Sequence, residues 1–206
     1  MKQTIRLSAL LFLASTLSLS LANAQYSNDQ ESFFSKNQKF DHEGVELYDS
    51  NIDMKEYKKI GVGFSSGGMT GLFGLNLEIN IVPQDSAVVG LGKGEAYGTF
   101  HFAWKRNYEA QYLSPYTKVG YSRWFNTNSD AGAANESNIL KNVLTESEIR
   151  TNEFSADFIA AAAGLEYNQL EGELSGVNFY GELILMSEIT KSIYLPTAGV
   201  GLTYFY

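Results

Sequence analysis

Five charged residues stand inside otherwise apolar stretches of the chain: Glu78, Lys105, Lys118, Glu166 and Glu182. Three carboxylates and two ammonium groups can pair with one another if they leave water together, and a buried charge needs such a partner. No catalytic arrangement accompanies them. Nucleophilic catalysis wants a histidine within hydrogen-bond reach of a hydroxyl, and the chain offers only His42 and His101, the latter followed by Phe102-Ala103-Trp104. With no cysteine there is no disulfide, thiolate zinc site, iron–sulfur cluster or cysteine nucleophile. Two histidines far apart do not make a metal site. Gly90-Leu91-Gly92-Lys93-Gly94 has the glycines of a phosphate loop but not the Gly-x-x-x-x-Gly-Lys-Ser/Thr spacing. The sequence assigns no catalytic, cofactor-binding or metal-binding residue, and charge pairing is the chemistry left to explain.

The elements that carry these charges have period two. Ile60, Val62 and Phe64 alternate with Gly61, Gly63 and Ser65. Leu75, Leu77, Ile79 and Ile81 alternate with Asn76, Glu78 and Asn80 up to a turn at Pro83-Gln84-Asp85-Ser86. Val89 and Leu91 form a short, weak segment among glycines. Phe100, Phe102 and Trp104 alternate with His101, Ala103 and Lys105, and Thr117, Val119 and Tyr121 with Lys118, Gly120 and Ser122. Alternation resumes at Ile159, Ala161, Ala163, Leu165 and Tyr167, again at Val177, Phe179, Gly181, Leu183 and Leu185, and finally at Ala198, Val200, Leu202, Tyr204 and Tyr206. The count is eight strands, and an even count brings both ends of a closed sheet to one side. Residues 126–153 read as a long loop rich in Asn, Ser, Ala and Glu, in which Ile139, Leu140, Val143 and Leu144 are spaced for one face of a short helix.

Two segments precede the strands. Lys2 and Arg6, the apolar run Leu7 to Leu21, and Ala22-Asn23-Ala24 fit a secretory signal peptide over 1–24. The apolar run is shorter than the roughly 20 residues of a spanning helix. Removing it takes away two of the 15 basic residues and none of the 23 acidic ones. Residues 25–56 are polar and acidic and read as a flexible, solvated N-terminal extension, with one short helix around Asn51 to Tyr57. The formal charge of −8 argues against a nucleic-acid partner, since phosphate binding needs clustered Lys and Arg. The 206-residue chain has 18% charged and 14% aromatic residues, and that charged share is below the roughly 25% of soluble domains.

Strand phase separates two faces. With the apolar series on one face, all five charges fall on the other, among Gly, Ser, Asn and Thr. Lys93, Arg123 and Asp157 share the apolar parity but fall at strand ends. A small, polar, sparsely charged inner face with an apolar outer face is the pattern of a membrane barrel. Tyr57, Trp104, Tyr167, Phe179, Tyr204 and Tyr206 gather at one set of strand ends, and Phe64, Phe73, Phe125, Phe154 and Tyr194 at the other. Two such girdles suit the two interfaces of a bilayer.

The chain ends Gly201-Leu202-Thr203-Tyr204-Phe205-Tyr206. Gly201, Tyr204 and Tyr206 resemble the terminal assembly signal of bacterial outer-membrane proteins, with Tyr206 where Phe is commoner. Together with the signal peptide and the alternation, this makes the region 57–206 resemble the small eight-stranded outer-membrane β-barrel family, the OmpA-like and OmpX-like porin-family domains. Residues 94–99 and 114–121 have the look of that family's central strands. The resemblance implies an all-β, eight-stranded, antiparallel up-and-down transmembrane barrel. It implies a monomer in the outer membrane of a Gram-negative bacterium. Its expected partners are outer-membrane lipid, lipopolysaccharide and the barrel-assembly machinery. Some small barrels of this kind modify lipids, but no His-x-Ser arrangement follows His101, so no enzymatic activity is expected.

Three roles follow from the residues. The first is a structural or surface-interaction protein acting through its loops, chiefly 126–153. The second is a narrow gated channel for ions or small solutes, with Glu78, Lys105, Lys118, Glu166 and Glu182 as a charge network in the lumen. A barrel of eight strands has a lumen about filled by side chains, which favours the first. The third is a soluble periplasmic barrel that binds an apolar ligand, which would need an apolar interior.

Overall fold

A strand that is apolar on one face and polar on the other needs a different medium on each side, and closing the sheet leaves no unpaired edge. The computed structural model describes residues 39–127, 138–151, 153–191 and 193–206. Its strands follow in chain order: β1 (Ile60–Gly67), β2 (Phe73–Val82), β3 (Asp85–Lys93), β4 (Tyr97–Asn107), β5 (Leu113–Asn126), β6 (Ser155–Asn168), β7 (Val177–Glu188) and β8 (Tyr194–Phe205). Each is antiparallel to its neighbours, and β1 pairs with β8 from Gly61↔Phe205 to Gly67↔Gly199. The result is a closed, eight-stranded, up-and-down barrel.

Both ends of the wall, Ile60 and Phe205, lie at one rim, here called the terminal end. The connection from β5 to β6 lies at the opposite rim, the loop end. The expected phase holds in all eight strands. Val62, Leu75, Leu91, Phe102, Leu165, Leu183 and Val200 point outward and are exposed, Leu183 by 74%. Glu78, Lys105, Lys118, Glu166 and Glu182 point inward and are buried.

The inner face departs from the small, polar lining expected for it. Its terminal half is polar, but its loop-end half is an apolar core of Val88, Ala103, Trp124, Phe158, Ile184 and Met186, among others. The reason is that the β5–β6 connection folds inward. It carries α2 (Asn138–Val143) and α3 (Glu146–Thr151), and Leu140, Val143 and Leu144 are buried in that core. The side chain of Ile139 lies outside the described residues. Phe154, expected in a girdle, is buried in the same core. The other four loop-end aromatics are exposed at the surface.

The terminal end is closed as well. Helix α1 (Asn51–Tyr57) is capped by Ser50, whose hydroxyl accepts from the Asp53 amide at 3.2 Å. Tyr57 therefore belongs to this helix and packs against Tyr48, Met54, Leu170 and Phe205, not in a girdle. Residues 40–47 are mostly exposed, but from Tyr48 onward the extension is not a solvated leader. Tyr48, Asn51, Met54 and Lys55 are all buried, and Leu47 bridges to Glu171 in the β6–β7 connection. The signal-peptide region 1–24 and residues 25–38 lie outside the described residues.

A third inward element is the β1–β2 connection. Gly68–Thr70 form a short 3-10 turn inside the barrel, with Gly67, Gly68 and Gly71 at positive φ. Thr99 and Ser122 of the wall donate to its Thr70 and Met69 carbonyls at 3.0 and 3.1 Å, and where the turn presses closest the wall is glycine. A Cβ on Gly92 would lie 2.0 Å from the Thr70 carbonyl oxygen, and one on Gly74 2.3 Å from Thr70 Cγ2. Gly92 thus makes room for the turn, while Gly90 makes room for Asn76 and His101 and Gly94 for the Tyr97 ring.

Candidate functional site

The lumen holds all five charged residues marked by the sequence, in two groups joined by aromatic rings. In the first, Lys105 Nζ lies 2.6 Å from Glu166 Oε2 and 3.1 Å from Glu78 Oε2. The second is the pair Lys118–Glu182, at 2.6 Å. Tyr116 connects them. Its hydroxyl donates to Glu182 Oε2 at 2.8 Å, while its ring centroid is 4.6 Å from Lys105 Nζ. Tyr180 meets Tyr116 edge to face, with centroids 6.3 Å apart.

One member was missed from sequence. Lys55 of α1 reaches up into the first group, with Nζ 2.6 Å from Glu166 Oε1 and 3.7 Å from Glu78 Oε1. It also donates to Asn107 Oδ1 at 2.7 Å. Neither Lys55 nor Glu166 has any exposed side-chain surface. Helix α1 places Lys55 there because Asn51, one turn earlier, is tied to the β4–β5 connection. Asn51 Nδ2 donates to Tyr108 O at 3.0 Å, and Asn51 Oδ1 accepts from the Ala110 amide at 2.9 Å. Below this layer a polar belt satisfies the mouth. Ser86 donates to Asn80, Asn168 to Ser114, and Asn178 to Asn168.

Between the ionic layer and the apolar core is a cavity of about 20 Å³, lined by Asn76, His101, Lys118, Glu182 and Thr70 among others. That volume suits about one water molecule. His101 is buried in its wall, whereas His42 is exposed on the extension. Among the described residues no group of three or more His, Cys, Asp or Glu is placed to hold a metal ion.

The three terminal residues are split between the faces. Gly201 lies under the Tyr180 ring, where a Cβ would fall 2.4 Å from Cζ. Tyr204 and Tyr206 are exposed on the outside. Phe205 points inward and is fully buried, and its ring centroid is 5.3 Å from Lys55 Nζ. The Tyr206 amide donates to Ile60 O at 3.0 Å, so the last residue helps fasten β8 to β1.

Charges with outward parity lie at the rims: Asp85 and Arg106 pair at the terminal end at 3.5 Å, and three others lie at the loop end. Arg123 and Asp157 face each other in the β5–β6 register with Nε to Oδ1 at 3.7 Å, and Tyr121 donates to Asp157 at 2.5 Å. Lys93 is the last residue of β3.

No protein-family model matches the chain, and no curated protein does. Three solved structures share its outline at low identity. The N-terminal β-barrel domain of Pseudomonas aeruginosa OprF is 14% identical, with a TM-score of 0.47 over 71% of this chain and 99% of that one. The Yersinia pestis outer membrane protein Ail, in a phospholipid bilayer nanodisc, is 11% identical, with a TM-score of 0.38 over 72% and 99%. The crystal structure of Ail, the attachment invasion locus protein, gives 11% and 0.34 over 72% and 97%. The barrel assignment rests on this chain's own strand pairing, which closes β8 on β1.

Proposed function

We propose that the chain is a bacterial outer-membrane β-barrel with a lumen filled from both ends and a structural or surface-interaction role at its loop end. The observation that carries this is the outward belt. Every strand contributes exposed apolar side chains, among them Phe64, Leu75, Leu91, Phe100, Phe125, Ile159, Leu185 and Leu202. A leucine-sized side chain left in water forgoes about 1.5–3 kcal/mol, and a whole ring of them is intelligible only against hydrocarbon. The interior supports the same reading, since charges that lipid would reject are paired inside. A soluble ligand-binding barrel would show the reverse arrangement, and its apolar cavity is here occupied by the chain's own Leu140 and Met69.

The longest connection, from β5 to β6, lies at the loop end and supports a terminal end facing the periplasm. The β5–β6 connection then faces outward toward lipopolysaccharide. Gly201, Tyr204 and Tyr206 would serve as the assembly signal read by the barrel-assembly machinery. The filled lumen argues against conduction: an open path would need both α1 and α2 to leave.

Fractionation followed by electrophoresis with and without boiling tests the proposal. The expected result is recovery in the outer-membrane fraction with a shift in migration on heating. Recovery in the soluble periplasm with no shift would refute it.

A further inference from the structure

Lys55 is held by the barrel wall as a ligand is held by a receptor. Its ammonium has three N–H donors. The oxygens around it are Glu166 Oε1 on β6, Asn107 Oδ1 on β4 and, farther off, Glu78 Oε1 on β2. The Phe205 ring of β8 lies 5.3 Å away, within reach of a cation–π contact. All four groups come from wall strands and none from α1.

The pocket is fixed without Lys55. Asn107 Nδ2 donates to Gln84 O at 3.3 Å and to Ser86 Oγ at 3.2 Å, which aims Oδ1 at the site. Glu166 is held through its other oxygen by Lys105. Within its ionic layer the wall is also one positive charge short: Glu78, Glu166 and Glu182 are buried there with Lys105 and Lys118. The other buried wall carboxylates lie at the rims, Asp85 beside Arg106 and Glu188 accepting from the Lys191 amide. Charge removed from water needs compensation, and the missing cation comes from a segment outside the wall.

We propose that the terminal mouth of the barrel is a binding site for a primary ammonium on an unbranched alkyl chain, occupied in cis by Lys55. The site exists only when β2, β4, β6 and β8 are in place, so insertion of α1 follows closure of the barrel. A quaternary ammonium, with no N–H, does not satisfy the two oxygens.

Lys55→Ala removes the atoms of one propylammonium ion, which makes chemical rescue the test. The full mature chain is folded into phospholipid vesicles, and amide hydrogen exchange is followed over residues 51–57. Lys55→Ala should exchange there about tenfold faster or more, because a broken buried ion pair opens the segment that carried it. Propylammonium should restore protection saturably. Tetramethylammonium at equal ionic strength and 1-propanol should not.

If Lys55→Ala does not fold alone, propylammonium in the refolding mixture should raise the heat-resistant fraction. Lys55→Ala with Glu166→Gln rebalances the wall, and this variant should fold without amine and show no amine response. Unchanged exchange in Lys55→Ala would overturn the proposal. So would a loss that propylammonium does not reverse, or that tetramethylammonium or 1-propanol reverses equally well.

Discussion

At the terminal end the lumen is filled by Lys55, Glu78, Lys105 and Glu166 at ion-pair distance; at the loop end it is filled by an apolar core of Leu140, Val143, Trp124, Phe158 and Met186, with Glu188 and Lys191 at its rim. Each half takes its plug from outside the wall, α1 below and the β5–β6 connection above. Ionic filling is directional, and each group depends on its neighbours, because removing one leaves another charged and unpaired. Apolar filling is graded, because removing a side chain costs its transfer energy and the cavity it leaves. One closed sheet therefore contains a half in which mutational effects couple and a half in which they follow volume.

The largest effect is expected below. Glu166→Leu leaves Lys55 and Lys105 facing Glu78 alone and should cost about 3–5 kcal/mol in the urea unfolding of vesicle-embedded barrel. Adding Lys55→Met to it should cost less than the sum of the two single changes. Additive costs there would erase the distinction between the halves. Above, Leu140→Ala should cost about 2–5 kcal/mol by truncation of a buried leucine. That loss should depend on salt much less than the loss in Glu166→Leu, because the charged contact to α2, Lys191 Nζ to Val143 O at 3.1 Å, lies at the rim and is kept in Leu140→Ala; an equal salt dependence would erase the distinction.

Smaller still is the seam where the 3-10 turn meets the wall. Gly92→Ala drives a methyl group into the Thr70 carbonyl and should cost about 1–3 kcal/mol. Gly181→Ala is its control, since nothing lies within 4 Å of that Cβ on the outer face, and the urea midpoint should not fall.

The smallest effect is at the loop end. Lys191 Nζ lies 2.6 Å from Glu148 Oε2 and joins α3 to the β7–β8 connection. Burial works to raise the Glu148 carboxyl, but hydrogen bonds from Lys191 and Thr145 outweigh it and hold the group below the usual carboxylate range. A depressed carboxylate stabilises the fold above its unfolded pKa and loses that contribution as pH falls through the folded value. Proteolysis within 145–151 should therefore quicken in acid, and Glu148→Gln should remove the pH dependence. Equal pH dependence in both forms would discard the latch.

The strands and their phase were legible in the sequence because lipid and lumen impose opposite requirements on alternate residues. Glu78 and Leu77 could not exchange places without putting a charge in hydrocarbon. The apolar half of the lumen also left a trace, since Ile159 to Leu165 and Leu183 to Met186 are apolar on both parities. Such runs mark strands with an apolar partner on the inside, here α2 and the residue after it, where Leu140, Val143 and Leu144 were spaced for one face. The extension was opaque for the opposite reason. Its helix was legible but its docking was not: beside Met54 and Tyr57, α1 buries Asn51 and Lys55, and a helix that docks largely by polar groups looks in sequence like one bathed in water. The one sequence signal for Lys55 is the surplus of carboxylates over lysines on the inward parity, which calls for a cation from outside the wall.

The central claim is that the apolar face meets lipid while the lumen is filled, and the chain's two tryptophans test it directly. Trp104 faces outward with 39% exposure, and Trp124 faces inward with 1%. Single-tryptophan variants Trp124→Phe and Trp104→Phe, folded into vesicles of brominated phospholipid, separate the two signals. Strong quenching of Trp104 with little quenching of Trp124 is the predicted result. Equal quenching of both, or none of either, would contradict the account.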